Sequence, residues 1–335
     1  MRYIGNKTKL LGFIEGEVKE KCGDISQMIF CDLFAGTCSV SKHFKPLCKH
    51  IITNDLELYS HTLALNYICN NTQVEYGELF EMMNNLTPVA GKITENFSPH
   101  GSFGRKFFTT ENAMKIDAIR QEIENYDGVE RNLLLCSLIE SADIIANTTG
   151  VYGAYLKDFN PRAKQAFVLK PYPFQTGATS ECHNEDANVL IEKLEGDILY
   201  LDPPYNSRQY SSNYHILNYI ASYDFSIKKS FDKETGNMVE SKTGLSEDYN
   251  RSNYSKKSEA LKSLDELINK SSGFEWVFMS YNNEGIISQE DVEATFSKYG
   301  DYDLASKEHK RYKSNTRNEQ ASTVSELLHI LRRTK

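Results

Sequence analysis

The chain has no long apolar run. Across 335 residues no window approaches the ~20 consecutive apolar residues that a helix needs to cross a bilayer, which excludes a helical membrane protein. The opening "MRYIGNKTKLLGFIEGE" is broken by Gly5, Asn6 and Gly12, and it lacks the apolar core and small-residue cleavage site of a secretory leader. A cytoplasmic location follows as the default. There is no C-x-x-C pair either: the seven cysteines, Cys22, Cys31, Cys38, Cys48, Cys69, Cys136 and Cys182, are odd in number and scattered, a pattern that predicts neither a disulfide framework nor a zinc site. No metal is expected. Basic excess is also missing. The net charge of −8 argues against an indiscriminate polyanion binder, although Leu304 to Lys335 carries eight Lys/Arg against three acids. Internal repeats and low-complexity tracts are absent. What remains, 40% apolar and 25% charged residues, is a globular composition in a chain long enough to bury a sizeable core.

Three short runs end in an acid or polar residue followed by a turn: "MIFCDLFAG" from Met28, "HIITND" from His50 and "DILYLDPPY" from Asp197. A fourth, "EWVFMSYNNEG" from Glu275, has the same form. Apolar runs of this length predict strands buried on both faces, as in a parallel sheet. Helices are predicted over Leu58 to Asn70 and Ser258 to Asn269. Strand, turn, helix, strand is the pattern of an α/β doubly wound sheet, whose ligands bind at the carboxyl ends of its strands. About 140 residues separate "HIITND" from "DILYLDPPY", far more than a crossover needs, so a region is inserted there. Within it, "TTENAMKIDAIRQEIENY" puts Ile116, Ile119 and Ile123 on one helical face, and "ERNLLLCSLIESADIIA" reads as a more buried helix. "NTTGVYGAYLKDFNPRAKQAF" then turns loop-like, a composition suited to touching a ligand. The expected division is 1–85 with 181–335 as one discontinuous domain, 86–180 as a mainly helical insertion, and 226–257 as a second, irregular insertion.

The chemistry concentrates at the strand ends. In "CDLFAGTCSV" small residues after an apolar strand let backbone approach a ligand at a helix start, but Cys38 occupies the second glycine position of G-x-G-x-x-G. Taken alone, an ordinary β-to-α turn fits as well. Asp55, at the end of the second strand and roughly 20 residues on, is where a carboxylate accepts ribose hydroxyls, which points to a nucleoside ligand. Adenosine with a short, non-pyrophosphate substituent suits the sparse glycines better than NAD. In "DILYLDPPYN" two prolines fix φ and end the strand. The Asp202 carboxylate and the Pro203 carbonyl then form a rigid pair of acceptors for the two N–H bonds of a planar amine, with Tyr205 to stack on its ring.

The set "RYIGNKTKLL", "DLFAGTCSV", "TND", "NEDA" before "DILYLDPPYN", and "FMSYNNEG" resembles the Dam-like adenine-N6 DNA methyltransferases, particularly the modification enzymes of restriction systems. The resemblance covers about two thirds of the chain. It implies a Rossmann-like methyltransferase sheet, S-adenosylmethionine as methyl donor, double-stranded DNA as partner, and a target-recognition region between donor and catalytic motifs. It implies donor contacts by Tyr3 and Lys7, by Asp32, Phe34, Ala35, Gly36, Thr37, Cys38 and Ser39 along the first loop, by Asp55 on the ribose, and by Asp186 with Ala187 on the donor adenine. Asp202, Pro203, Pro204 and Tyr205 form the implied catalytic motif.

For DNA, the resemblance directs attention to Arg105, Lys106, Arg162 and Lys164 in the insertion as contacts to phosphate or guanine. Arg208, Gln209, Tyr210, Asn213 and Tyr214, beside the catalytic turn, are assigned to the extruded nucleotide. His309, Lys310, Arg311 and Lys313, in a basic hairpin tip, are assigned to phosphates, and 226–257 is a further DNA-contacting candidate. Cys38 departs from relatives that often carry glycine there, and the middle third matches by position only. Cytosine-N4 or RNA adenine methylation, and a non-catalytic DNA-binding specificity subunit, stay open as alternatives. A monomer is expected, because one strand modified at a time needs no two-fold symmetry. A separate restriction endonuclease is the expected companion.

Overall fold

The computed structural model describes residues 1–72, 75–225, 227, 230–231, 238–239, 241–245, 249–310 and 323–334. It divides into two compact units, each assembled from three stretches of chain. The sheet unit is Gly5–Asn71, Phe174–Gln209 and Arg251–Lys335; the helical unit is Met1–Ile4, Thr72–Pro173 and Tyr210–Asn250. The middle stretch of the helical unit begins at Thr72 and takes in the expected insertion from residue 86 as far as Pro173, and the unit also includes Tyr210–Asn250 after the Asp202–Tyr205 turn.

The sheet unit holds seven strands: β1 (Ile29–Asp32), β2 (His50–Asn54), β3 (Thr179–His183), β4 (Gly196–Leu201), β5 (Phe274–Asn282), β6 (Gly300–Lys310) and β7 (Thr323–Arg333). Their order is β3-β2-β1-β4-β5-β7-β6. The first five are mutually parallel, while β7 runs antiparallel to both β5 and β6. The strand order reverses beside β1, and that switch point opens the crevice of a doubly wound sheet at the β1 and β4 carboxyl ends. Phe30, Cys31, Ile51, Ile198, Leu199, Val277 and Phe278 are fully buried, so the central strands read as apolar runs because helices cover both faces. Leu190, Leu264, Leu267 and Phe296 pack one face of that core.

All four strands expected from the sequence form. The helix expected over Leu58 to Asn70 forms as an α-helix, Leu58–Ala64, continued by a π turn, Leu65–Cys69. The helix Ala260–Lys270 stands within two residues of expectation. One cysteine expectation is corrected: Cys69, in that π turn, is bonded to Cys182 on β3. Cysteine spacing gave no hint, because the two lie 113 residues apart in sequence.

The helical unit contains Thr110–Glu122 and Gly128–Ile145, with Ile116, Ile119 and Ile123 all fully buried. Asp117 accepts from the backbone N–H groups of Gly91, Ile93 and Thr94, satisfying the open amino end of the short helix Lys92–Phe97.

Candidate active site

Loop backbone and a few side chains lock the strand ends of the sheet unit together. Leu33 N–H donates to the Tyr200 carbonyl at 3.1 Å, and Ala35 N–H to the Asn54 carbonyl at 2.9 Å. Asn54 itself is fully buried. Its amide donates to the carbonyls of Leu33 and Glu185 and accepts from Glu185 N–H, bridging the loops after β1 and β3. In the β1 loop Gly36 and Cys38 both have left-handed backbone, φ 52° and 58°. Glycine adopts that geometry freely and other residues do so only under strain, which gives a physical reason to expect glycine at the second position. Cys38 is buried, so a packed thiol occupies that turn.

Two acids flank this loop. Asp55 accepts from Gly36 N–H at 2.7 Å and from Glu57 N–H at 2.9 Å, and burial raises its carboxyl above the ordinary range. Asp32 is almost completely buried. Its Oδ2 accepts from Ser41 N–H at 3.2 Å and Ser41 Oγ at 2.5 Å, whereas its Oδ1 is a buried acceptor with no hydrogen-bond partner among the described residues. Burial pushes the Asp32 carboxyl up to about 7, against the opposing Ser41 hydrogen bonds. Phe34 meets Tyr254 edge-to-face at 5.2 Å, an aromatic wall. Asp186 caps the short helix Ala187–Leu190 by accepting from Asn188 N–H, and the Asn184 amide donates to the Asp55 carbonyl at 2.7 Å.

The Asp202–Tyr205 turn, the candidate catalytic motif, follows β4. Asp202 Oδ1 lies 3.0 Å from Lys7 Nζ, and the same ammonium lies 2.7 Å from Glu326 Oε1. All three side chains are at least four-fifths buried. Burial pushes the Asp202 carboxyl up to about 6; Lys7 opposes that shift and Glu326 reinforces it. Burial works against the Lys7 charge, yet the Asp202 and Glu326 carboxylates hold Lys7 well above its ordinary value. The Tyr205 carbonyl accepts from Ile286 N–H at 3.1 Å. Its ring packs edge-on against Tyr281 of β5 at 6.4 Å, so the "FMSYNNEG" segment props the turn from behind.

The structure therefore gathers Lys7, Asp32, the Phe34–Ser39 loop, Asp55, Asp186, Ala187 and the Asp202–Tyr205 turn within the sheet unit. Other expected site residues have internal roles. Tyr3 lies in the helical unit, stacked on Tyr214 at 4.7 Å. Tyr214 is fully buried, with its hydroxyl accepting from Ile4 N–H; it packs the unit and is not available to hold a nucleotide. The Tyr210 hydroxyl donates to the Ile4 carbonyl. Arg105 is buried beneath the surface, its guanidinium donating to the carbonyls of Asn96, Ser241 and Lys242, so it organises a loop within the helical unit. Gln209 pairs through both ends of its amide with the Ser252 backbone, a second structural correction.

Asn213 is buried with its Nδ2 unpartnered among the described residues. Arg162 is half-buried, while Lys164 and Arg208 are exposed. Lys106 donates to the Lys157 carbonyl at 2.8 Å on the wall of a cavity of about 380 Å³ that Tyr155, Lys157 and Lys242 also line. His309 and Lys310 form the end of β6, where only backbone is described. Arg311 and Lys313 lie outside the described residues, as does most of 226–240. Sequence reasoning missed Asn54, Ser41, Tyr254 and Glu326. Asn54 is the asparagine of the "ND" that drew attention to Asp55, but nothing local marked the others.

The profile of the D12 class N6 adenine-specific DNA methyltransferases matches residues 3–269. The chain is 41% identical, over the full length of both proteins, to the type II methyltransferase M.NlaIII of Neisseria lactamica. It is 37% identical to the type II methyltransferase M.CviAII of Paramecium bursaria Chlorella virus 1, over 93% of this chain and 92% of that one. With the type II methyltransferase M.FokI of Planomicrobium okeanokoites the identity is 34% over 99% of this chain, which there spans only 53% of the relative. A sheet with its acids at the switch point, an Asp-Pro-Pro-Tyr turn at the end of β4 and a profile match over most of the sequence agree: the chain belongs to the D12 class of N6 adenine-specific DNA methyltransferases.

Proposed function

We propose that this methyltransferase takes its methyl group from S-adenosylmethionine and places it on N6 of an adenine flipped out of double-stranded DNA, as the modification partner of a separate restriction endonuclease. The observation that carries the reading is the Asp202–Tyr205 turn at the carboxyl end of β4, with Lys7 ion-paired to one oxygen of Asp202. Fit to the donor is supported by Asp32, whose buried Oδ1 lacks a partner among the described residues and suits an ammonium. Asp55 offers lone pairs to ribose hydroxyls, and Phe34 and Tyr254 offer an apolar wall. When bound, the donor supplies a methyl already activated on a sulfonium.

The chain's own residues then have three tasks. Asp202, through the oxygen not held by Lys7, and the Pro203 carbonyl accept the two N6–H bonds and hold the amine with its lone pair free. Pro204 fixes the turn, and Tyr205 stacks on the base. Once the methyl has moved to N6, that nitrogen becomes acidic and its proton departs toward Asp202, whose carboxyl, titrating at about 6, is ionised at neutral pH and ready to accept it.

The helical unit is the proposed reader of DNA. Lys106, Lys157 and Lys242 around the cavity, with Arg162 and Lys164, are its candidate phosphate and base contacts, and the Asn213 Nδ2 is a donor without a partner among the described residues; the exposed Arg208, at the end of a sheet-unit segment, is a further candidate. A cytoplasmic monomer is the expected state. Asp202→Ala should lower methyl transfer from tritiated donor to DNA by about a hundredfold to a thousandfold while donor binding, followed by calorimetry, persists. Transfer near the parent rate would remove the central assignment.

A further inference from the structure

Lys7 bridges two buried carboxylates, of which only one belongs to the catalytic turn. Glu326 sits on β7 in register with Asn282 of β5 and Lys307 of β6. Because β7 runs antiparallel to β5, its opening residues arrive at the edge of the sheet where the parallel strands end. The reversed strand therefore delivers a carboxylate to the active edge. Glu326 is almost fully buried, and its Oε1 is closer to Lys7 Nζ, at 2.7 Å, than Asp202 Oδ1 is, at 3.0 Å.

A buried acid is costly unless its charge is matched. Here two acids share a single ammonium, so the cluster of three side chains is left with one net negative charge. Paired with Asp202 alone, Lys7 would neutralise that carboxylate and make it a poor hydrogen-bond acceptor. With Glu326 on its other side, Lys7 is pinned in position while part of its field is directed elsewhere. Other ionisable groups near the cluster are Tyr200 of β4 and Tyr205 of the turn, which interact with Lys7, and Asp32 of β1, which feels Asp202. Lys307, the cross-strand neighbour of Glu326, is exposed, with its ammonium over the Phe13 ring.

We propose that Glu326 is a positioning residue for methyl transfer: it holds Lys7 against one oxygen of Asp202 and, by sharing the ammonium's charge, keeps Asp202 a strong acceptor for the adenine amine. This rests on the assignment of Asp202 to the amine. The role predicts a direction. Glu326→Gln removes an anion that favours the protonated form of Asp202, so the acid limb of the pH profile of kcat should move to lower pH by about 1 unit. Above that limb, kcat should fall about threefold to tenfold because the acceptor is weaker, with donor affinity unchanged within twofold. Glu326→Asp, which keeps the charge, should restore the position of the limb.

The pH profile of kcat is to be measured by tritiated methyl transfer to saturating DNA, for the full chain, in parent, Glu326→Gln, Glu326→Asp and the double variant Lys7→Met/Glu326→Gln compared with Lys7→Met. The last pair leaves no unmatched cation in the cluster and keeps the test alive if Glu326→Gln alone does not fold. In that background removing Glu326 should still move the limb downward by relieving direct repulsion on Asp202, while the fall in kcat above the limb should vanish because no ammonium is left to position. A limb that stays in place in both backgrounds, or a loss confined to donor affinity, overturns the role of Glu326. Asp202→Asn measured in parallel separates the two readings: if it retains parent activity, the Asp202 assignment fails first, and if it is inactive while the Glu326 limb stays fixed, only the Glu326 inference fails.

Discussion

Asp32 shows how a single buried acid can work against the folded state, a cost that a bound cation would offset. Its carboxyl titrates at about 7 in the folded chain against an ordinary 3.8, because burial disfavours its charge. The folded state therefore binds a proton that the unfolded state has already released. This penalty is absent below the unfolded value, grows as pH rises from about 4 to about 7, and is fully in force above that. Asp32→Asn, which keeps a polar group on Ser41 without the charge, should raise the melting temperature of the donor-free protein at pH 8 by a few degrees and weaken donor binding. The two readouts move in opposite directions only if the buried Oδ1 awaits a cation. A lower melting temperature at pH 8, or unchanged donor affinity in calorimetry, would sink the idea. Arg105 teaches the converse at the same scale: a buried guanidinium can be engaged by backbone carbonyls of its own unit, which its charge in the sequence does not disclose.

Among elements, the loops after β1, β2 and β3 matter more than the helices, and Asn54 is their common tie. Asn54→Ala would leave the Leu33 and Glu185 carbonyls and the Glu185 N–H without their buried partner. A cost of about 1–3 kcal/mol is expected for such unsatisfied groups. It would be read as a lower urea midpoint with unchanged slope, and KM for the donor should rise more than kcat falls. An unaltered midpoint would show that the three loops hold without it. The legibility of these elements in the sequence was uneven for a physical reason. β1, β2, β4 and β5 are buried on both faces, so each appears as an apolar run ending in its functional acid or turn. β3 lies at the sheet edge, mostly half-buried, and "TSECH" carries no such run. β7 is buried over Leu327–Leu331, but it lies in a stretch whose basic charge balance points toward DNA and masks the strand. Glu326 was invisible because its meaning depends on Lys7, more than 300 residues away in sequence.

At the scale of the whole molecule, a chain with net charge −8 has to bind a polyanion through a local concentration of cations. If the cavity lined by Lys106, Lys157 and Lys242 receives DNA phosphate, Lys157→Ala/Lys242→Ala should weaken binding equally on cognate and unrelated duplexes. It should also flatten the dependence of log affinity on log salt by about 2, roughly one for each phosphate no longer neutralised. A slope that does not change, followed by fluorescence anisotropy across a salt series, places the phosphates elsewhere. The way the two units are threaded has a consequence for ancestry. Each is assembled from three separated stretches, so a single crossover between two related genes can never exchange one unit and leave the other untouched. It leaves both offspring with hybrid units. If the helical unit reads DNA, moving it whole without also carrying part of the sheet unit takes paired exchanges at several junctions, and otherwise new target preferences accumulate by substitution within a fixed thread.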